Sequence, residues 1–254
     1  MSKTVHKALD ILEALAGTAD GVSLAKLSQE LNMHPSTVHR LLKTLMERRF
    51  VRRDPLTRQY ALGFRLVELG SAVPYQTHLI ETARPILTAL VQDVGETANL
   101  VVRYQDDAVY IDQVQCNAVV RAFTQTGARA PLHCTGVGKV FLAHSSPGDF
   151  ERFIEGASLP AYTSHTMTNP YVLKEHLERI RTQGFALDNE ERELGTHCLA
   201  APVRDASGAV IAAISVSGPA QRLQENRLNS VASQVRRAAA EISTRMGFVD
   251  KTTE

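Results

Sequence analysis

Residues 23–63 read SLAKLSQELNMHPSTVHRLLKTLMERRFVRRDPLTRQYALG. Ser23 has N-cap chemistry for a short helix carrying Leu24, Leu27 and Leu31. Asn32, Met33 and His34 make a tight turn. Pro35 suits the first turn of the next helix, where its missing N–H costs nothing. In that helix Val38, Leu41, Leu42, Leu45 and Met46 fall on one side at helical spacing, which leaves Ser36, Thr37, His39, Arg40, Lys43 and Thr44 on the other. Phe50–Arg53 and Gln59–Leu62 read as two short strands, with turn chemistry at Asp54-Pro55-Leu56-Thr57-Arg58 between them.

Upstream, Val5, Ala8, Leu9, Leu12, Leu15 and Ala16 predict a first helix over about 3–16, broken between Gly17 and Gly21. Three helices with a tight turn before the last, followed by a hairpin, describe a winged helix-turn-helix. Charge agrees. Residues 1–62 hold ten Lys/Arg against six Asp/Glu, a balance of +4, and the rest holds eighteen against twenty-one, a balance of −3. A basic module joined to a slightly acidic one points to a polyanion as partner of the first. A plain three-helix bundle with a basic solvated face is the competing reading, and the hairpin speaks against it. The expected double-stranded DNA contacts are Ser36, Thr37, His39 and Arg40 at base edges. Ser23, Lys26, Lys43, Arg52 and Arg58 are expected at phosphate or the groove edge.

Downstream, residues 63–72 predict a short helix stopped near Pro74. A longer helix carries Leu79, Ala83, Ile86, Leu87, Leu90 and Val94 on one side, with Pro85 in its early turns or at a kink. Strands are predicted at 99–104, 108–114, 119–125, 199–204 and 210–217, and helices at 137–144, 170–183 and 224–246. This irregular mixture is of the α+β class. Three cysteines without CxxC spacing fit neither a disulfide framework nor a zinc ribbon. No apolar run approaches the ~20 residues of a membrane span. The N-terminus lacks a signal-peptide core, so a cytoplasmic location is expected.

PLHCTGVGK, residues 131–139, invites sharper readings. A phosphate loop reads GxxxxGK followed by Ser or Thr. Here His133 stands where the first glycine belongs and Val140 follows Lys139, so both ends fail. The pairs His133-Cys134 and His197-Cys198 could supply zinc-type ligands, with Asp188 as a further one, but neighbours on a strand point to opposite faces. A cysteine nucleophile with an adjacent histidine base has no third group to orient it. No metal, cofactor or catalytic residue is therefore expected. The anion-binding reading is that Gly136-Val137-Gly138 opens a helix whose first N–H groups lack internal partners, with glycine at 136 admitting a carboxylate. Lys139 is expected to face solvent. Ser215 and Ser217, two apart on an apolar strand, share a face.

Residues 23–63, together with LHCTGVGKVFLA at 132–143 and DNEERELGTHCLAAPVRDASGAVIAAISVSGPAQR at 188–222, resemble the IclR family of bacterial transcription regulators along nearly the whole chain. The resemblance implies three segments: a winged helix-turn-helix over 1–62, a helical linker over 63–78, and a GAF-like effector-binding and oligomerisation domain with an antiparallel sheet over 79–254. It implies an effector pocket bounded by Thr135, Gly136, Val137, Asp188, Cys198, Ser215 and Ser217, with Val119, Ala122, Ala130 and Thr196 as walls. Val137 is bulkier and Thr196 more polar than many relatives carry there. The implied partners are a palindromic operator, a small carboxylate effector, and a second or fourth copy of the chain. A metabolite enzyme with an accessory basic domain, or a DNA-binding protein whose large domain only assembles dimers, are the readings of other classes.

Overall fold

A computed structural model describes residues 2–249 apart from 17, 19, 20, 72, 73, 123 and 157, with the side chains of 70–77 and 225 also outside the description. The chain divides into two compact units, Met1–Tyr75 and Gln76–Glu254. Among the described residues no helix is long and apolar enough to cross a membrane.

The first unit runs α1 (Lys3–Ala16), α2 (Leu24–Glu30), α3 (Pro35–Glu47), β1 (Val51–Arg53), β2 (Tyr60–Leu62) and α4 (Arg65–Ser71). Ser23 caps α2 by accepting from Lys26 N at 3.3 Å. His34 caps α3 through Nδ1, and Pro35 follows at its start. Ile11, Leu15, Leu27, Val38 and Leu42 are fully or almost fully buried between the three helices. Burial of each contributes roughly 1.5–3 kcal/mol. The stripe predicted for α1 needs correction. Its buried side chains are Ile11 and Leu15, one turn apart, whereas Val5 and Leu9 stand 56% and 50% exposed. The wing pairs Val51 with Leu62 and Arg53 with Tyr60. Val22, which periodicity did not mark, adds a third edge by exchanging two 2.8 Å backbone hydrogen bonds with Tyr60.

The second unit holds α5 (Pro74–Val94), β3 (Thr97–Tyr104), β4 (Asp107–Val114), β5 (Arg129–Pro131), α6 (Gly136–Ala143), α7 (Pro147–Gly156), α8 (Pro170–Gln183), β6 (Ala186–Asn189), β7 (Thr196–Arg204), β8 (Val210–Pro219) and α9 (Glu225–Arg245). Pro85 lies near the middle of α5 rather than in its first turns. The six strands form an antiparallel sheet in the order β5-β4-β3-β8-β7-β6. Its two faces follow from the period of two. Leu100, Leu199, Ile214 and Val216 meet α5 and α9 on one face. Val101, Ala186, Ala200 and Ala213 meet α6 and α8 on the other. A bulge opposite the Leu100–Val101 step turns Tyr110 to the α6 face and Asp112 to the α5 face, where Arg84 pairs with it. The strand predicted at 119–125 does not form. Its β-branched residues find no partner strand, and the chain there is an irregular crossing before β5; Phe123 lies outside the described residues.

Candidate functional site

Two candidate surfaces emerge, one in each unit. On α3 the outer face carries Ser36, His39, Arg40 and Lys43, all exposed, with Thr37 half-buried. The amphipathic split places them there, since Val38, Leu41 and Leu42 point inward. The Ser36 hydroxyl is tied to His34 Nδ1 at 2.7 Å. The wing tip is fixed by Asp54, whose carboxylate accepts from Leu56 N and Thr57 N at 2.8 Å each. Those bonds hold its pKa below the ordinary carboxylate value. Arg58 sits next to this turn in the left-handed region, at φ 58°. Arg52, Arg53 and Arg58 are all exposed, and Arg53 lies over the Tyr60 ring and donates to Arg58 O. Lys26 is shared with Glu30 at 3.6 Å.

In the second unit, the α6 face of the sheet carries a polar row running across the strands. Register places Asp188 beside Cys198, Cys198 beside Ser217, and Ser217 beside Thr97. Asp188, Cys198 and Ser217 border a cavity of about 340 Å³, closed by Tyr110 from β4, by Ala122, Thr124 and Gln125 from the crossing, and by Ala128, Arg129 and Ala130 leading into β5. Thr135 at the start of α6, and Arg192, Glu193 and Thr196 around the turn into β7, complete it. Asp188 Oδ1 accepts from Glu191 N at 2.8 Å and Arg192 N at 3.4 Å. Burial pushes its carboxyl up to about 7, with Lys139 and the backbone bonds pulling the other way. Burial also raises the Tyr110 phenol, so it stays protonated.

The glycines of PLHCTGVGK have a packing cause. A Cβ at Gly138 would lie 2.4 Å from Leu132 Cα and O, and one at Gly136 would lie 2.9 Å from Cys198 O. Gly136 does not itself line the cavity, and packing against β7 is reason enough for its missing Cβ. Thr135 caps α6, its hydroxyl accepting from Gly138 N at 3.1 Å and donating to Pro131 O at 2.7 Å. Lys139 does not face solvent. It is fully buried, and its ammonium donates to Glu191 Oε1, to Leu187 O at 2.5 Å and toward His176 Nε2 at 3.4 Å. Burial, and then the Lys139 charge, hold His176 down to about 4, so it stays neutral and able to accept.

The two His-Cys pairs are spent on structure. His133 Nε2 lies 3.1 Å from Pro160 O and His197 Nδ1 lies 2.8 Å from Leu223 O. Burial pushes the Cys134 thiol up to about 12 and Cys198 up to about 11, far from a reactive thiolate. Among the described residues no group of three or more His, Cys, Asp or Glu converges on one point.

Of the residues predicted for the pocket, the fold brings Ala122, Ala130, Thr135, Asp188, Thr196, Cys198 and Ser217 to one cavity. Val119 is 95% exposed and Val137 is wholly buried in the α6 core, so neither lines it. Ser215 shares the Ser217 face, but it sits deeper in the sheet and accepts from Asn99 Nδ2 at 3.2 Å. Tyr110, Arg129 and Arg192 were missed. Tyr110 reaches the cavity through a β-bulge, which leaves no mark in the sequence.

The Asp188 environment yields a pH prediction. An aspartate whose folded pKa stands above its ordinary 3.8 contributes stability that is present below about pH 4 and lost as the pH climbs through about 7. Asp188→Asn keeps the Oδ1 acceptor. It is expected to raise the unfolding free energy at pH 8 by on the order of 3 kcal/mol and to leave it nearly unchanged at pH 4. Urea unfolding at the two pH values checks this; a less stable variant at pH 8 contradicts it.

Comparison with known proteins bears on both surfaces. Residues 4–55 match the IclR helix-turn-helix domain, and residues 72–244 match the bacterial transcriptional regulator IclR C-terminal domain. The HTH-type transcriptional regulator BhcR of Paracoccus denitrificans is 41% identical over 241 residues, 95% of this chain and 86% of that protein. The transcriptional repressor IclR of Escherichia coli is 36% identical over 247 residues, 96% of this chain and 90% of that protein. An IclR homolog of Microbacterium hydrocarbonoxydans, solved in complex with 4-hydroxybenzoate, shares the fold with a TM-score of 0.85 at 23% identity, over 96% of this chain and 99% of that one.

Proposed function

The chain belongs to the IclR family of bacterial transcriptional regulators, and from that membership we propose that its C-terminal cavity binds a small carboxylate whose arrival changes how the N-terminal unit holds a palindromic operator. It is a DNA-binding regulator with an effector-binding domain, not an enzyme. The observation that carries the effector reading is the convergence of Thr135, Asp188, Cys198 and Ser217, from four separate segments, on one cavity. The Ser217 hydroxyl and the start of α6 supply donors for an anion. Asp188 is an acceptor and suits a hydroxyl, an amine or a water rather than the carboxylate itself. The 4-hydroxybenzoate bound by the Microbacterium homolog is a carboxylate, which supports the class of ligand. Titration calorimetry of the full chain against a panel of organic acids tests this. Binding should survive a chelator and be lost in Ser217→Ala combined with Asp188→Asn.

In the N-terminal unit, Ser36, Thr37, His39 and Arg40 meet base edges, and Ser23, Lys26, Lys43, Arg52 and Arg58 meet phosphate or the groove edge. Arg40→Ala is expected to lower discrimination between operator and random DNA by about 1–3 kcal/mol. Arg58→Ala should instead weaken both and flatten the salt dependence. Fluorescence anisotropy with an operator selected from a random pool separates the two patterns. An unchanged specificity ratio for Arg40→Ala would remove α3 as the reading helix.

The regulator works in the cytoplasm as a homodimer or a pair of dimers, because one α3 and one wing read only a half-site. The apolar side chains left uncovered in the first unit support this: Val5 and Leu9 on α1, and Phe64 and Val67, 71% and 60% exposed, at α4.

A further inference from the structure

The residues lining the cavity differ in burial. Ser217, Cys198 and Thr135 are buried and form its inner part. At the rim stands Arg192, whose guanidinium carbon lies 4.1 Å from the centroid of the Tyr162 ring. A guanidinium laid on an aromatic face keeps its in-plane N–H groups open, and those groups match a carboxylate two at a time. Among the described residues no carboxylate or carbonyl takes them. Arg129, the other cation on the rim, is already paired with Asp107 at 3.0 Å. The Arg192 seat is also held in advance. The Thr163 hydroxyl donates to Glu190 O at 2.7 Å and the Thr166 hydroxyl to Glu191 O at 2.6 Å, so the segment carrying Tyr162 is fastened to the one carrying Arg192.

Size adds a second constraint. A cavity of about 340 Å³ is large beside the ≈30 Å³ that a water occupies in the liquid. It has room for an acid of about four to six carbons.

We propose that the effector is a dicarboxylate, and that Arg192, stacked on Tyr162, seats its outer carboxylate, the one nearer solvent. The proposal rests on the carboxylate reading above and narrows it. Glu193 shares the rim and opposes a second anion, so removing its charge must act in the direction opposite to removing that of Arg192.

Titration calorimetry on the full chain with succinate, glutarate and adipate tests this, each paired with the monocarboxylate of equal carbon count: butyrate, pentanoate and hexanoate. At least one dicarboxylate should bind tenfold or more tighter than its partner. Arg192→Ala should erase that ratio, Arg192→Lys should keep part of it, and Glu193→Gln should enlarge it. Both residues are exposed, so matching melting temperatures show that the variants are folded. Equal binding within every pair, or a preference that survives Arg192→Ala, overturns the proposal and leaves the carboxylate reading standing. Binding of none of the six acids, with other organic acids still bound, also overturns it; binding of no acid at all removes both.

Discussion

Lys139→Ala should destabilise the C-terminal unit by about 3–5 kcal/mol, among the largest effects of any single side-chain truncation in the chain. Lys139 is fully buried, and its three donors have three acceptors in Glu191, Leu187 and His176. Alanine leaves the Glu191 carboxylate, 4% exposed and with Oε2 already lacking a partner, without its counter-charge. Because breaking a buried pair costs more than replacing it, Lys139→Met with Glu191→Leu should recover most of the loss. Urea unfolding followed by circular dichroism reads both. A Lys139→Ala protein as stable as the parent would show that the ammonium contributes nothing to holding the 188–192 turn on α6.

Gly138→Ala should cost on the order of 3 kcal/mol or more, although alanine is the better helix former. The added Cβ meets backbone atoms of Leu132 at 2.4 Å, and neither the start of α6 nor the buried Leu132 can move without opening the core. Gly148 is the matched control. It is also helical, in α7, with nothing within 4 Å of a new Cβ. Gly148→Ala should therefore be neutral or stabilising by up to about 1 kcal/mol. Thermal melts of the two variants test whether Gly138 is required for packing.

These two residues also show how far the sequence could be read. The third helix was legible because it buries Val38, Leu41 and Leu42 at a period of 3.6, and the wing because Asp54-Pro55 is turn chemistry; the stripe of α1 was legible only in part. The short strands β5 and β6 were not legible, since three or four residues carry no period. Residues 119–125 look like a strand by composition, but pairing is a long-range property and none is available to them. Asp188, Cys198 and Ser217 were legible through long motifs. Arg192 was not, because its place at the cavity depends on the turn between β6 and β7 and on a tyrosine thirty positions earlier. Lys139 was misread because nothing local shows that Glu191, far along the chain, closes over it.

Occupancy of the cavity must change the grip on the operator, and one titration tests that link most directly. Fluorescence anisotropy of the full chain on its selected operator is measured without and with a saturating acid already shown by calorimetry to bind. The expected result is a change in operator affinity of about tenfold, in the range of ordinary allosteric coupling. The change should be absent in the protein carrying Ser217→Ala and Asp188→Asn, which should hold the operator as tightly as the parent. An acid that occupies the cavity and leaves operator affinity the same would contradict the central claim.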